Sequence, residues 1–568
     1  MQYYKEYNSN NEELNYGKLL KIEDDFYVNE EKIINNRGIV NDIVYTHNSE
    51  VVGIKERSIK KIVGILDCES KMRFSDSKNK SLFLFKPTNK DYPNFYVHYN
   101  INKNQHKNNK IYVVIEFKEW NINNKFPIGN LIEVIGKIEL LENIYEHLRY
   151  FYDIKNNSMT INNIKKEDTI KLLDSIQNII PDYEVFSIDP LGSKDIDDAF
   201  HFKKLDEETK NYEVGIHIAS PFKFFEDDLL KILDRVSTVY SPIRKYNMLP
   251  NIYADDLLSL LENKNRFALS LILKISNNKL LDYEIKESIV KNIKNYDYDN
   301  FDKIYERNII LKDFFDFSKS FFSEDDHYDS HKLVENWMIY TNKLIAKYLI
   351  DLNLSNLILR SHNSSTNILD NNVKELDEKL FNYLKIRNEE SAHYEIYDPS
   401  KVQTHSKLGY TYYTHYTSPI RRAVDLFIHS LIIKKADLLN KEILENVLLK
   451  INSFTKNCRK FNNVAMRLKF LYDIKENEVN IETYGYIVKI EKYRLTVYIE
   501  EYNLEEKIII IPYKFQKIAV IEHDEKSISY NIDNENVKKY NLYQKLNLRL
   551  WVFTSFENIF DKLKIEII

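Results

Sequence analysis

Four aspartates fall within ten positions in the stretch Asp189-Pro190-Leu191-Gly192-Ser193-Lys194-Asp195-Ile196-Asp197-Asp198. Carboxylates this close repel one another when buried, which raises some of their pKa values. A divalent cation removes the conflict. Hard oxygen donors with no Cys or His among them suit Mg²⁺ or Mn²⁺ rather than Zn²⁺. In an extended segment side chains alternate, so Asp195 and Asp197 point to one face. Asp189 joins them if the Pro190-Leu191-Gly192 turn folds the chain back. The alternatives are an acidic surface turn and a calcium loop, although the glycine and glutamate spacing of an EF-hand is missing. Strand-like runs at 183–188 and 212–218 flank the acids and favour a loop held on a scaffold.

A second constellation is Tyr413-Thr414-His415-Tyr416-Thr417-Ser418-Pro419-Ile420-Arg421-Arg422. Ser418 before Pro419 predicts a helix start, with a hydroxyl cap followed by proline in the first turn. Free backbone N–H groups there favour a phosphate. Arg421, Asp425 and His429 recur every four residues, so Asp425 can orient Arg421. An arginine just inside a helix start opposes the dipole, which makes sense beside an anionic ligand. An ordinary surface arginine paired with an aspartate is the alternative. His415 and His429 carry no metal assignment.

These residues need elements to hold them. Up to about residue 145 the chain shows short β-branched or aromatic runs: Ile62-Val63-Gly64-Ile65-Leu66, Ser81-Leu82-Phe83-Leu84-Phe85 and Ile111-Tyr112-Val113-Val114-Ile115. Polar turns separate them, a spacing that suits one or two small OB-like barrels. From about 146 to 480 strands mix with long amphipathic helices. The apolar stripe Leu333, Val334, Trp337, Met338, Thr341, Leu344, Ile345, Tyr348, Leu349 has a 3.6-residue period. Strand patterns return at 486–488, 495–499 and 507–512, which fits a third barrel.

A chain of 568 residues suggests roughly three or four domains. Gly and Pro are scarce (10 and 11), which predicts a well-folded chain rather than a linker-rich one. The net charge of −5 argues against a protein that coats duplex DNA and leaves room for a local basic channel. Cys68 and Cys458 read as free thiols in a reducing compartment. Residues 1–6 lack the apolar run of a signal peptide, and no stretch approaches the ~20 apolar residues of a membrane span. The expectation is a soluble, intracellular protein, cytoplasmic with the nucleus left open, and monomeric.

Together these segments resemble the catalytic RNB domain of the RNase II/R exoribonucleases, especially the eukaryotic exosome-associated type. The aspartates match the family's Asp-x5-Asp-x-Asp-Asp signature. Further matches follow in order: Gly215-Ile216-His217-Ile218-Ala219, Val239-Tyr240, Met248-Leu249-Pro250, Leu257 to Leu260 before Arg266, and Ser330-His331-Lys332-Leu333-Val334-Glu335 before Met338 and Asn342. Arg360-Ser361-His362 and the 413–422 segment, with Asp425 and His429, complete the series. Val63-Gly64-Ile65-Leu66 and Lys125-Phe126-Pro127-Ile128-Gly129-Asn130 resemble the family's second cold-shock module, and Asn36-Arg37 with Asn41-Asp42 the end of a shortened first one. The resemblance implies an α+β multidomain chain. Residues 1–60 would be a partial cold-shock-like OB module, 61–145 a second, 146–480 the RNB catalytic domain and 481–568 an S1-like OB domain. No endonuclease domain is expected.

The resemblance further implies that Asp189, Asp195, Asp197 and Asp198 hold one or two Mg²⁺ ions, with Asp197 the most sensitive position. Arg421 would neutralise charge on the phosphoryl oxygens, with Asp195 and Asp197 beside it as catalytic groups. Tyr240 would stack on the 3′-terminal nucleotide, and Arg422 and Ser418 would contact RNA. The implied reaction is processive 3′-to-5′ hydrolysis of single-stranded RNA to nucleoside 5′-monophosphates, with 2′-hydroxyl sensing. A place in an RNA-decay complex is compatible with it. Ser220 and Ala423 depart from the family's usual aspartate and tyrosine, and Met466 stands near a usual glutamate. The stretch between Tyr296 and His331 is short. It normally supplies a second aromatic clamp, for which Phe314, Phe315, Phe317, Phe321 and Phe322 are the candidates. The rival readings are a noncatalytic RNA-binding scaffold that keeps the fold, and a phosphatase acting on a small substrate.

Overall fold

β-Branched and aromatic runs alternating with polar residues build the described part of the first unit from short strands and one helix. The computed structural model describes residues 15–568 apart from 24, 35, 59–60, 70–73, 76–80, 101–108, 121–123, 156–162, 207–209, 324–326, 364–376, 478–479, 512–519, 532–536 and 553–562. Residues 1–6 and position 512, used above, therefore lie outside the described residues. The chain divides into two compact units, Met1–Ile154 and Lys155–Ile568.

In the first unit β1 (Asn15–Lys18), β2 (Leu20–Ile22), β3 (Asp25–Val28), β4 (Glu31–Ile33), β5 (Ile43–His47) and β6 (Glu50–Glu56) form two three-stranded sheets, β1-β5-β6 and β2-β3-β4. Leu19, Val28, Ile33, Val44 and Val51 make their core. The buried Asp42 carboxylate closes this region by accepting from the Ile39 amide (2.8 Å) and the Ser58 amide (2.9 Å), with Arg57 on the same group. Next come β7 (Ile62–Asp67), β8 (Phe74–Ser75), β9 (Ser81–Pro87), β10 (Phe95–His98), β11 (Lys110–Glu119) and β12 (Ile128–Lys137). The order β10-β12-β11-β7-β9 closes on itself because β9 also pairs with β10, giving the five-stranded ring of an OB barrel. Gly64 permits that closure: a Cβ there would meet the Lys86 carbonyl at 2.2 Å. Helix α1 (Leu141–Phe151) follows.

The second unit begins with α2 (Asn163–Ile176), β13 (Tyr183–Asp189), β14 (Asp198–Asp206), β15 (Asn211–Ala219), α3 (Leu229–Arg235), β16 (Val239–Tyr240), β17 (Lys245–Tyr246), β18 (Asn265–Ser276) and β19 (Lys279–Asp297). Strands β13-β14-β15-β18-β19 form a closed barrel in which only the β13–β19 seam is parallel. Asn277 and Asn278, both at positive φ (48° and 57°), make the two-residue turn that sets the β18–β19 register.

Helices α4 (Tyr298–Ile304), α5 (Ile309–Phe322) and α6 (Ser330–Asp351) come next. Of the stripe expected on α6, Leu333, Val334, Trp337, Thr341, Leu344, Ile345 and Leu349 are buried, while Met338 and Tyr348 are only partly so. Trp337 is fully buried, and its Nε1 donates to Ser318 Oγ at 2.9 Å. Around it pack Phe314, Phe317, Phe321 and Phe322 of α5. Phe314 also meets Phe186, Phe200 and Phe202 of the barrel, and Phe315 packs on Tyr305 and Tyr328. The five phenylalanines named as clamp candidates are thus packing residues: Phe314, Phe317, Phe321 and Phe322 join α5 to the barrel or to α6, and Phe315 packs on Tyr305 and Tyr328.

β20 (Ile358–Ser361), α7 (Glu378–Asn388), β21 (His393–Ile396), β22 (Thr404–His405) and β23 (Tyr410–Thr411) lead to α8 (Ala423–Lys434), buried from Ala423 to Ile432, and to the long α9 (Lys441–Asn477). The helix after Ser418-Pro419 therefore starts later than its local signal predicts. The Arg422 amide donates to the Ser418 carbonyl (2.9 Å) in a single turn. Arg422 then becomes extended (φ −133°, ψ 124°) and bridges Ser237, so α8 begins at Ala423. Tertiary pairing overrides the cap.

The chain ends in strands as expected. β24 (Ile481–Glu491), β25 (Arg494–Ile499), β26 (Leu504–Ile509), β27 (Val520–His523), β28 (Ser527–Tyr530), β29 (Lys538–Asn541), β30 (Lys545–Val552) and β31 (Leu563–Ile567) form sheets β26-β25-β24-β30-β31 and β27-β28-β29 around one apolar core. The molecule is an α+β multidomain protein. Among the described residues no helix is long and apolar enough to cross a membrane.

Candidate active site

Strand β13 delivers Asp189 at its C-terminal end, opposite Asp297 in the parallel seam. The chain then turns back at once: the Ser193 amide donates to the Pro190 carbonyl (3.0 Å), and Gly192 sits at φ +79°. A type II turn needs that positive φ at its third residue, which glycine adopts without strain. The predicted fold-back is therefore present. Residues 195–197 are not a strand, however, and alternation does not place them. Three bonds stitch this stretch down instead: Ile196 amide to Ser259 Oγ (2.9 Å), Leu260 amide to the Ile196 carbonyl (3.0 Å), and Ala219 amide to the Asp197 carbonyl (2.8 Å).

The carboxylates have unequal surroundings. Asp197 is 2% exposed; its Oδ1 accepts from the Ile420 amide (2.8 Å) and its Oδ2 from Arg421 Nε (3.0 Å). Asp195 accepts from the Tyr240 hydroxyl on Oδ2 and from Lys245 Nζ on Oδ1, both at 2.7 Å. Lys245 also reaches Asp255 at 3.1 Å. By contrast, Asp189 Oδ2 is buried with no hydrogen-bond partner among the described residues. Burial, opposed by Ser187 and reinforced by the Asp197 and Asp195 charges, pushes the Asp189 carboxyl up to about 7. Burial and the Asp189 charge do the same to Asp198, again to about 7. Burial also lifts Asp197 to about 7, against the pull of Arg421 and the Ile420 amide.

Among the described residues, no three acidic, His or Cys side chains form a ready-made metal cage. The fit to a hard cation rests on other observations. These are an all-oxygen donor set, the orphaned Asp189 Oδ2, and carboxylates whose mutual repulsion a cation would relieve. Asp195 and Asp197 are largely satisfied by protein donors, so Asp189 and Asp198 are the members freest to bind an ion.

Arg421 is not oriented by Asp425. Asp425, fully buried, instead accepts from Arg422 Nη2 (2.8 Å) and from the Ser418 amide (2.8 Å), while Arg422 Nη2 also donates to Ser418 Oγ (3.0 Å). The extended backbone at Arg422 turns the two arginines apart. Arg421 goes to the carboxylate loop and keeps 42% of its side chain exposed. Burial disfavours its charge, yet Asp197, Tyr240 and Asp198 outweigh that and raise its pKa. Thr238 donates to the Arg421 carbonyl (2.9 Å) and Ala423 to the Val236 carbonyl (2.8 Å), which ties the Tyr240 hairpin, β16–β17, to the arginine segment.

All eight residues singled out from the sequence line one cavity of about 680 Å³: Asp189, Asp195, Asp197, Asp198, Tyr240, Ser418, Arg421 and Arg422. Sequence reasoning did not single out Lys245, which bonds Asp195, or His405 and Tyr298, which line the cavity. Lys245 lies in no motif; its only signal is its place opposite Tyr240 across a short hairpin. Tyr298 also lines the cavity, its ring stacked on His331 with centroids 3.7 Å apart. Burial, then Asp198 and Asp189, raise its hydroxyl pKa. It is one of 42 tyrosines, and only its position just past β19 set it apart.

The RNB domain model matches residues 178–316 and 315–436, and the model of the Dis3-like cold-shock domain 2 matches 82–152. The chain is similar to the probable exosome complex exonuclease RRP44 of Caenorhabditis elegans, 23% identical over 511 residues, covering 74% of this chain and 52% of that protein. It spans about half the length of the curated relatives it matches. Its fold resembles Mycoplasma genitalium RNase R, solved with ribose-methylated single-stranded RNA (TM-score 0.73, 16% identity, 98% of this chain and 100% of that one). It also resembles yeast Ssd1, described as a pseudonuclease (TM-score 0.67, 14% identity, 98% and 96%).

Proposed function

We propose that this chain, whose residues 178–316 and 315–436 match the RNB domain model, is a Mg²⁺-dependent exoribonuclease degrading single-stranded RNA from the 3′ end to nucleoside 5′-monophosphates. The observation that carries this reading is the convergence of four aspartates and Arg421 in one cavity walled by Tyr240 and Tyr298. An acidic surface turn would not bury Asp197 or set an arginine against it.

Asp189 and Asp198 would hold the metal, which when bound supplies a Lewis acid and lowers the pKa of water. Asp197 orients Arg421 through Nε, leaving its terminal nitrogens to meet phosphoryl oxygens as negative charge builds on them. Tyr240 offers its ring to the terminal base while its hydroxyl steadies Asp195. Arg422 and Ser418, locked together by Asp425, present a fixed polar edge to the strand. The same reading assigns 1–60 and 61–145 to cold-shock-like modules, 146–480 to the RNB domain and 481–568 to an S1-like domain. It admits a place in an RNA-decay complex.

A noncatalytic RNA-binding role is the second reading, favoured by the absence of a ready-made metal cage among the described residues. A 5′-labelled single-stranded RNA with Mg²⁺ separates the two. The enzyme produces a 3′-to-5′ ladder that collapses to a short end product, and the Asp197→Asn variant binds while cutting far more slowly. RNA binding with no Mg²⁺-dependent shortening establishes the scaffold instead. A DNA oligonucleotide of the same sequence reports on sugar selectivity.

A further inference from the structure

Beyond the aspartates, the same cavity is walled by Tyr413, His405, His415 and Arg422. Behind them stands Arg360 of β20. Its amide bonds to the Tyr413 carbonyl (2.7 Å), and its guanidinium lies over the Tyr394 ring at 4.3 Å. The Tyr394 hydroxyl in turn meets His415 Nδ1 at 2.7 Å. β22 is bridged to this strand end at His362–His405, which brings the His405 ring to 5.2 Å from Tyr413.

What sets this cluster apart is unspent positive charge. Arg360 is 9% exposed, and its Nη1 has no hydrogen-bond partner among the described residues. Arg422 Nε and His405 Nδ1 are likewise buried and unpartnered. Asp425 is the one carboxylate bonded here among the described residues, and it is committed to Arg422. Stacking on Tyr394 explains where the Arg360 plane lies, but an aromatic face does not neutralise a guanidinium. Buried charges are normally paired, and leaving one unpaired is costly. The two histidines do not add charge: burial, then His362 and Arg360, hold His405 down to about 4, and burial with Arg422 and Arg360 holds His415 well below its usual value. They remain neutral.

We propose that Arg360, Arg422, His405 and His415 form an anion subsite that takes a backbone phosphodiester upstream of the scissile one. The assignment of that anion to RNA rests on the exoribonuclease reading; the subsite itself rests on the unpaired Arg360 guanidinium and the unpartnered Arg422 Nε. An upstream phosphate held here would fix how far the strand is threaded when the terminal phosphate reaches Arg421. Arg360 then acts as a binding residue remote from the reacting atoms.

The test uses the full chain in chelator, so that binding is read without cleavage. Single-stranded RNAs carry one neutral methylphosphonate linkage, moved stepwise inward from the 3′ end. For the parent protein, one upstream linkage should cost about ten- to a hundredfold in affinity when neutralised, the range of a charged hydrogen bond. In Arg360→Gln that particular penalty should vanish, and in Arg360→Lys, which keeps a cation over Tyr394, part of it should return. A penalty that persists unchanged in Arg360→Gln, or no upstream penalty in the parent, overturns the proposal. A purely structural role would lower affinity for every RNA alike and leave the profile's shape intact, which also counts against it. Thermal melting with inorganic phosphate against chloride at equal ionic strength forms the second arm. Stabilisation of the parent but not of Arg360→Gln, with no RNA binding at all, supports the subsite for a free phosphate and removes the exoribonuclease reading. No difference between the two proteins in either arm overturns the subsite.

Discussion

Asp197 Oδ2 accepts from Arg421 Nε at 3.0 Å while its Oδ1 accepts from the Ile420 amide at 2.8 Å, so a single buried carboxylate fixes both the guanidinium and the backbone that carries it.

Replacing Asp197 with Asn tests what that clamp does. The amide can satisfy one of the two donors as an acceptor, but it turns its own NH₂ toward the other. Cleavage should fall by about 10²–10³-fold, the usual effect of losing one transition-state donor, while RNA affinity stays within a few-fold. Arg421→Lys should lose a similar amount, because an ammonium lacks the fork that binds Asp197 and phosphate together. Single-turnover cleavage and equilibrium binding measured on the same RNA decide it. Equal losses in both would assign Asp197 to binding.

Tyr240 has two separable jobs, since its ring faces the cavity and its hydroxyl donates to Asp195 at 2.7 Å. Tyr240→Phe keeps the ring and should bind 3′ ends like the parent, while its cleavage rate drops as Asp195 loosens. Tyr240→Ala loses the stack, worth about 1–3 kcal/mol per base, and should weaken binding by about tenfold or more. Fluorescence anisotropy with a 3′-hydroxyl RNA gives the comparison. Indistinguishable affinities for the Phe and Ala variants rule out stacking.

Much of the scaffold was legible in the sequence because its signals are periodic. The Leu333-to-Leu349 stripe became the buried face of α6, and the β-branched runs became barrel strands. Pro190-Leu191-Gly192 turned back because glycine supplies the φ that the turn demands. What stayed hidden depends on distant partners. Ser418-Pro419 carries a sound helix-start signal, yet the bridge from Ser237 pulls Arg422 into an extended conformation and delays the helix to Ala423. That one bridge also reassigns Asp425 from Arg421 to Arg422, a swap that four-residue spacing cannot foresee. Lys245 and Tyr298 reach the site only through a hairpin register and a strand end.

Trp337 gives a stability prediction independent of catalysis. It is fully buried, bonded to Ser318 and ringed by α5 phenylalanines. Trp337→Ala should cost about 3–5 kcal/mol, the sum of lost transfer energy and the cavity left behind. Phe321, stacked on the indole, and Phe322 at its edge are among the side chains that border that cavity. Urea unfolding followed by circular dichroism measures the loss. A change below about 1 kcal/mol would mean that α5 and α6 repack freely.

The carboxylate cluster predicts opposite pH trends with and without metal. Asp189, Asp197 and Asp198 are each raised to about 7, chiefly by burial. A carboxyl shifted upward binds its proton more tightly in the folded chain than in the unfolded one. Its contribution is therefore fully present below the unfolded value of about 4 and is lost as pH rises through about 7. In chelator, melting temperature should decline between about pH 5 and about pH 8 from this cluster. Mg²⁺ must displace those protons, so its stabilisation should be slight near pH 5 and grow through neutrality. Thermal melts across this range with and without Mg²⁺ show the crossing. Calorimetry in buffers of different ionisation enthalpy should register proton release on Mg²⁺ binding near neutral pH. Replacing Asp189 with Asn removes the orphaned Oδ2 and should flatten both trends together. A Mg²⁺-induced shift of equal size at both ends of the range would mean that the ion binds elsewhere.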